Sequence, residues 1–326
     1  MKLITAASIA MGTFSVVQAS AKELSLAYFM GPKHPMSRGV FTPFGEKLKE
    51  VSGGALTVKQ YAGGALNKVP PKQYSILLDN VADIVFILPG YTADVFPQTN
   101  VVGLPGVCDT ALECTQGMNR AKSKLEKEFN AKVLALWSNA PPVLITKDKP
   151  VTKLSDIQGM KIRVTSKSDA PFVEALGASA VAQPVTQINQ NLANGVIDAI
   201  MIDSSAVRSF KLHEPANYVT TWFPGSGSAF ALLMNLDVYN GLTDQEKAWV
   251  DEASGPDLAL GGGRMYDKAS AGGMKLAADS GNQLLEWDAG EREKIQALID
   301  QAMNGMAGNK VGDSTIGDVI KLMKGQ

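Results

Sequence analysis

The run "ADIVFIL" (82–88) constrains the fold more than any other stretch. Apart from Asp83 it is apolar at every position. It lacks the alternation of a strand with one wet face, so a strand here is covered on both sides. Covering both faces calls for helices between strands, and the chain supplies them in order. "ELSLAYF" (23–29) and "ALTVKQY" (55–61) read as strands around a helix over 36–50, in which Phe41, Phe44 and Leu48 recur at helical spacing. Pro43 sits inside that helix and predicts a kink, or a restart capped by Thr42. Pro70-Pro71 opens a second helix, 110–129 forms a third, and "KVLALWS" (132–138) is a further strand. The order β-α-β-α-β implies largely parallel sheets with helices on both faces, an α/β fold.

A second run of the same kind begins near Lys147. "MKIRV" (160–164), "VIDAIMID" (196–203) and "SAFALLMN" (228–235) read as strands, with helices over 167–178 and 187–195. From Thr243 to Gly281 the pattern is helical, though Pro256 and Gly261-Gly262-Gly263 weaken it. "NQLLEW" (282–287) is a late strand, and 291–303 a late amphipathic helix. Two α/β lobes suit this order better than one continuous sheet. The 326 residues, 45% of them hydrophobic, suffice for a core in each.

Composition excludes several function classes. Lys+Arg 31 against Asp+Glu 32 leaves no polybasic face for nucleic acid. No apolar run reaches the ~20 residues of a membrane span, so the chain is not expected to be membrane-embedded. The patterns G-x-S-x-G, H-E-x-x-H and G-x-x-x-x-G-K-[ST] are absent, and two histidines make a hydrolytic triad hard to assemble. No cofactor or metal is implied, because no oxygen-ligand or Cys/His spacing supports one. The first 21 residues, "MKLITAASIAMGTFSVVQASA", place Lys2 before an apolar run and close on Ala19-Ser20-Ala21. That is a cleavable signal peptide, which predicts a mature chain from Lys22 in the periplasm. In such an oxidising compartment Cys108 and Cys114, flanking the capping box Thr110-x-x-Glu113, are expected to form a disulfide.

One cation stands out. In "MKIRVTSKSDA" Arg163 lies between Ile162 and Val164, at a strand end that meets a new helix. Ligands of open α/β sheets collect beyond such strand ends, and a guanidinium there presents two parallel N–H donors to a carboxylate. An interlobe ion pair or a surface arginine would fit the spacing too.

From Lys22 to about Ala253 the chain resembles the solute-binding proteins of TRAP transporters, the DctP family. The phrases that carry this are "KEVSGGALTVKQYAGGALN", "DNVADIVFI", "VFPQTNVVGLPGV", "LSDIQGMKIRV", "VEALGASAV", "NLANGVIDA" and "LLMNLDVYNGLTDQEKAWVDEA", in family order. The resemblance implies a two-lobe periplasmic binding protein, type II-like, with two mixed or parallel sheets spanned by a long helix. Lobe I would hold 22–145 and about 228–260, lobe II 146–227 and about 275–326, and the helix 243–281. It also implies that the lobes close on a small organic acid, which Arg163 clamps by its carboxylate, and deliver it to TRAP permease membrane subunits.

The departures from the family pattern concern the ligand. Where many relatives carry a second arginine, after the strand ending at Ser138, this chain has Asn139-Ala140-Pro141-Pro142. The family's polar contact at a later strand end would fall on Ile202 or Asp203. Phe29, Ile87 and Leu88 replace polar or small residues, and Trp137, Trp222 and Phe223 are further aromatic candidates. One cation in an apolar lining predicts a monocarboxylate with an apolar or aromatic body. The alternatives are a C4-dicarboxylate, a sulfonium or ammonium zwitterion helped by Asp203, a binding protein serving an ABC importer or sensor kinase, and a periplasmic hydrolase.

Overall fold

The computed structural model describes residues 21–326. The expected signal segment, 1–21, lies outside the described residues apart from Ala21. Eleven strands build two sheets. The first joins β1 (Lys22–Ala27), β2 (Leu56–Tyr61), β3 (Ile84–Ile87), β4 (Lys132–Ser138) and β10 (Ala229–Met234), in the order β2-β1-β3-β10-β4. The second joins β5 (Val143–Thr146), β6 (Lys161–Val164), β7 (Ser179–Ala182), β8 (Ala199–Ile202), β9 (Tyr218–Thr220) and β11 (Gln283–Leu285), in the order β11-β9-β5-β8-β6-β7. Both sheets are mixed. In the first, β10 arrives from the second half of the chain and runs antiparallel to β3 and β4 on either side. In the second, β5 runs antiparallel to β8 and β9. Sequence patterning does not single out the short strands β5, β7 and β9.

The chain first crosses between lobes through 139–142 after β4 and returns through 221–228 before β10. The crossings run side by side: Ser228 N donates to Asn139 Oδ1 at 2.5 Å, and Phe223 N to Pro142 O at 3.1 Å. Cys108 and Cys114 are disulfide-bonded, and Ser226 ties the closed loop to the second crossing. Its Oγ accepts from Cys108 N and donates to Cys108 O at 2.9 Å.

The first helix begins with a wide π-helical turn at Ser37–Phe41 and restarts at Thr42, with Pro43 in its first turn, where no N–H is needed. The long helical segment differs from the expected 243–281. Asp244–Ala253 ends, Gly255 turns at φ 96°, and Pro256 opens a separate helix, Pro256–Asp279. This spanning helix packs on β4 and the Ala111–Arg120 helix of lobe I, and on Ser205–Ser209 and β11 of lobe II. The glycines expected to weaken it are its contact points. A Cβ on Gly262 would sit 2.8 Å from the Trp137 ring, one on Gly263 2.7 Å from Thr115 Oγ1, and one on Gly273 against Ser204 O. The C-terminal helix Ile316–Lys324, expected with lobe II, instead packs on the Ala111–Arg120 helix of lobe I. Its buried stripe Ile316, Val319 and Met323 needs an apolar partner there, and Arg120 Nε donates to Met323 O at 2.7 Å.

Candidate functional site

Strand ends from both sheets converge on one cavity between the lobes. Arg163 is presented by β6, whose neighbours are β8 and β7. Ile162 and Val164 point into the lobe II core, so strand alternation sends Arg163 to the opposite face. It is only 1% exposed. Its Nε and Nη2 both donate to Gln183 O, at 3.0 and 2.8 Å, which holds the plane of the guanidinium. Nη1 donates to Thr165 Oγ1 at 3.1 Å and, at the long limit of 3.5 Å, to Met201 O. The Tyr91 hydroxyl is a further partner of the guanidinium, so every group that hydrogen-bonds it is uncharged. Arg163 also has no place in any ion pair among those residues. Burial lowers its pKa, while Tyr91, Asp169 and Asp203 favour its charge.

Around this cation the wall is aromatic. Phe29 from the end of β1, Phe86 from β3, Phe230 from β10 and Tyr266 from the spanning helix all line the cavity. Phe86 stacks on Phe230 with centroids 5.4 Å apart, and Phe230 on Tyr266 at 5.1 Å. Asp203 lines the same space, just past β8. Its Oδ2 accepts from Asn139 Nδ2 at 2.6 Å and its Oδ1 from Ser205 N at 3.0 Å, and burial raises its pKa. His34 closes one end near Phe210 and Tyr266. Burial lowers its pKa to about 3, so its ring is neutral. Among the lining residues Arg163 is therefore the sole cation.

Of the residues singled out in sequence, Arg163, Phe29, Leu88, Asn139, Ile202 and Asp203 meet at this cavity, and Trp137, Trp222, Phe223 and Ile87 do not. Trp137 is fully buried in the lobe I core, between Phe86 and Phe230 and the spanning helix, and donates its Nε1–H to Met36 Sδ. Ile87 points to the opposite face of β3 from Phe86. Because the strand is apolar on both faces, sequence does not reveal which parity faces the ligand. Phe223 is core, pinned to Pro142 through its backbone. Trp222 lies outside, against Trp287 and beneath the Arg292 guanidinium at 4.5 Å. Sequence reasoning missed Phe86, Phe230, Tyr91 and Tyr266. The signal available for Phe86 was its alternation with Leu88, which also lines the cavity. For Tyr266 there was none, since it arrives on a helix more than 100 residues from Arg163 in sequence.

Two α/β lobes, joined by paired crossings and enclosing a cavity with a buried cation, define a ligand-binding protein of the two-lobe solute-binding class. The chain belongs to the DctP family, bacterial extracellular solute-binding protein family 7, whose pattern it matches over residues 26–308. The structure is similar to a TRAP solute-binding protein of an unidentified marine metagenome microbe, specific for aromatic acid ligands and crystallised with 3-hydroxybenzoate. The TM-score is 0.85 at 26% identity, covering 94% of this chain and 97% of that one. A TRAP periplasmic solute-binding protein of Bordetella bronchiseptica with bound (R)- and (S)-mandelate is similar at TM-score 0.79 and 25% identity, covering 93% and 99%. In sequence the chain is 26% identical over 290 residues to the outer membrane transporter protein TsaT of Comamonas testosteroni, 84% of each chain.

Proposed function

We propose that the protein captures a small aromatic monocarboxylate in the periplasm and delivers it to a TRAP permease, leaving the ligand chemically unchanged. The observation that carries this reading is a guanidinium buried with no ion-pair partner among the described residues, in a cavity lined by Phe29, Phe86, Phe230 and Tyr266. A buried charge in that state needs an anion, and a ligand carboxylate supplies one with two parallel hydrogen bonds. A dicarboxylate needs a second fixed cation, and His34, held neutral, does not provide it. The stacked Phe86, Phe230 and Tyr266 offer apolar area to a ring. The aromatic acids bound by the two similar TRAP proteins support the same ligand class.

A second reading rests on Asp203. A carboxylate in the same cavity as Arg163 suits a ligand with an ammonium or sulfonium group opposite its acid. Thermal shift and calorimetry on the mature chain separate the two. Benzoate, 3-hydroxybenzoate and mandelate are expected to raise Tm by mass action and to be recovered intact. Glycine betaine and succinate should leave Tm unchanged. Stabilisation by succinate with none by the aromatic acids would defeat the proposal.

A further inference from the structure

Outside the cavity a groove shares walls with it at Met30, His34, Ser205 and Phe210. It draws on three separate parts of the fold: the segment after β1, the Ser205–Ser209 helix and the spanning helix. From these come Lys33, Arg38, Arg208 and Lys268, all exposed, and no Asp or Glu lines the groove. None of the four takes part in an ion pair among the described residues, though lysines elsewhere are paired with carboxylates. The whole chain has a formal net charge of -1, so four free cations on one concave wall are a local excess.

We propose that this groove is the vestibule through which organic anions reach the binding cavity, and that its four cations set the association rate. The inference rests on the cavity being an anion site. Exposed, hydrated cations bind a carboxylate weakly, yet a concave surface of one sign raises the local concentration of counter-ions and the on-rate by roughly 10–1000-fold at low salt. At the inner end stand His34 and Phe210, where the lining turns apolar, and beyond them lies Arg163, desolvated and hydrogen-bonded in place. Because His34 is neutral, no intermediate charge holds the anion at the threshold. The groove thus accelerates capture, while Arg163 and the rings determine retention. Affinity and rate are separable in this arrangement.

Two measurements test it on the mature chain. In stopped-flow mixing with 3-hydroxybenzoate, the variant Lys33→Gln/Arg38→Gln/Arg208→Gln/Lys268→Gln should associate at least about tenfold more slowly at ~0.01 M ionic strength. Dissociation should change less than about twofold, and the difference should vanish near 1 M salt, where screening is almost complete. An unchanged on-rate overturns the proposal. Should the variant keep its on-rate but lose permease-coupled uptake in vesicles, the face docks a partner and the vestibule assignment falls. The second measurement needs no ligand. Anionic and cationic nitroxides of equal size are compared by paramagnetic broadening of the amide signals of Gly31, Ser209 and Gly272. The anionic probe should broaden them more, and only in the wild type; equal broadening refutes the vestibule. Failure of 3-hydroxybenzoate to bind wild type would refute the ligand reading instead, and the nitroxides would still judge the groove.

Discussion

Arg163 keeps its charge through hydrogen bonds to Gln183, Met201 and Thr165 and the field of Tyr91, Asp169 and Asp203, which offset only part of the several kcal/mol of lost hydration. Replacing it by a similarly sized apolar side chain should therefore cost little stability. Arg163→Met is expected to keep or raise Tm without ligand, while weakening aromatic-acid binding by about 2–5 kcal/mol, read by scanning and titration calorimetry. Arg163→Lys should bind nearly as poorly, because a point charge does not reproduce the planar fork. A large loss of apo Tm in Arg163→Met would show that the arginine is there for the fold. Asp169 offers a pH-dependent test. Burial raises its pKa from 3.8 to about 6, despite Ser166 N donating to it at 3.0 Å and the nearby Arg163 charge. A carboxyl raised in the folded state favours folding below pH 4, and that contribution is lost as pH rises through 6. The interval corresponds to about 3 kcal/mol at most. Asp169→Asn keeps an acceptor for Ser166 N and carries no charge. The variant should be more stable than wild type at pH 7.5 by about 2–3 kcal/mol, the gap closing as pH falls from 6 to 4. A gap independent of pH would show that Asp169 is ionised throughout.

The spanning helix makes its point with two adjacent glycines. Gly272 has open space where a Cβ would stand, whereas a Cβ on Gly273 would overlap Ser204 O. Gly272→Ala should therefore stabilise by about 0.5–1 kcal/mol through helix propensity alone. Gly273→Ala must push the helix off lobe II and should cost at least ~2 kcal/mol, measurable by urea denaturation. Similar values for the two would mean the helix does not bear on the Ser204 backbone. The same element shows why helix propensity misjudges this region. Glycine weakens an isolated helix, yet here it allows backbone approach to Trp137 and Thr115 on one lobe and to Ser204 on the other. Asp267, on the same helix, also accepts from Ala111 N at 2.8 Å and Leu112 N at 3.0 Å, capping a lobe I helix from 156 residues away. No local pattern announces that role.

At the scale of the molecule, the lobes meet over the cavity as well as at the crossings. Tyr91, after β3 in lobe I, accepts a hydrogen bond at its hydroxyl from Val185 N of lobe II at 3.0 Å, beside Arg163. That contact exists only when the lobes are together. Tyr91→Phe leaves the Val185 N–H unpaired and should raise Kd about five- to tenfold, mainly through faster dissociation, since closure follows encounter. Stopped-flow rates would show it; an effect confined to the on-rate would place Tyr91 on the approach path instead.

Consecutive residues specify the fold class, most strands of the two sheets and the cation at the end of β6. Those features are local: apolar runs, helical spacing and a charge set in an apolar strand are written in consecutive residues. The cavity wall was legible only in part. Phe29 and Asp203 end strands and could be named, whereas the choice between Phe86 and Ile87 depends on which face of a doubly covered strand meets the other lobe, and Phe230 and Trp137, cross-strand partners on one face, differ only in which of them lines the cavity. Tertiary structure alone decided that, together with the insertion of β10 between β3 and β4, the return of the last helix to lobe I and the arrival of Tyr266. Each is a contact between residues far apart in the chain, and its free energy depends on packing geometry that no single segment encodes.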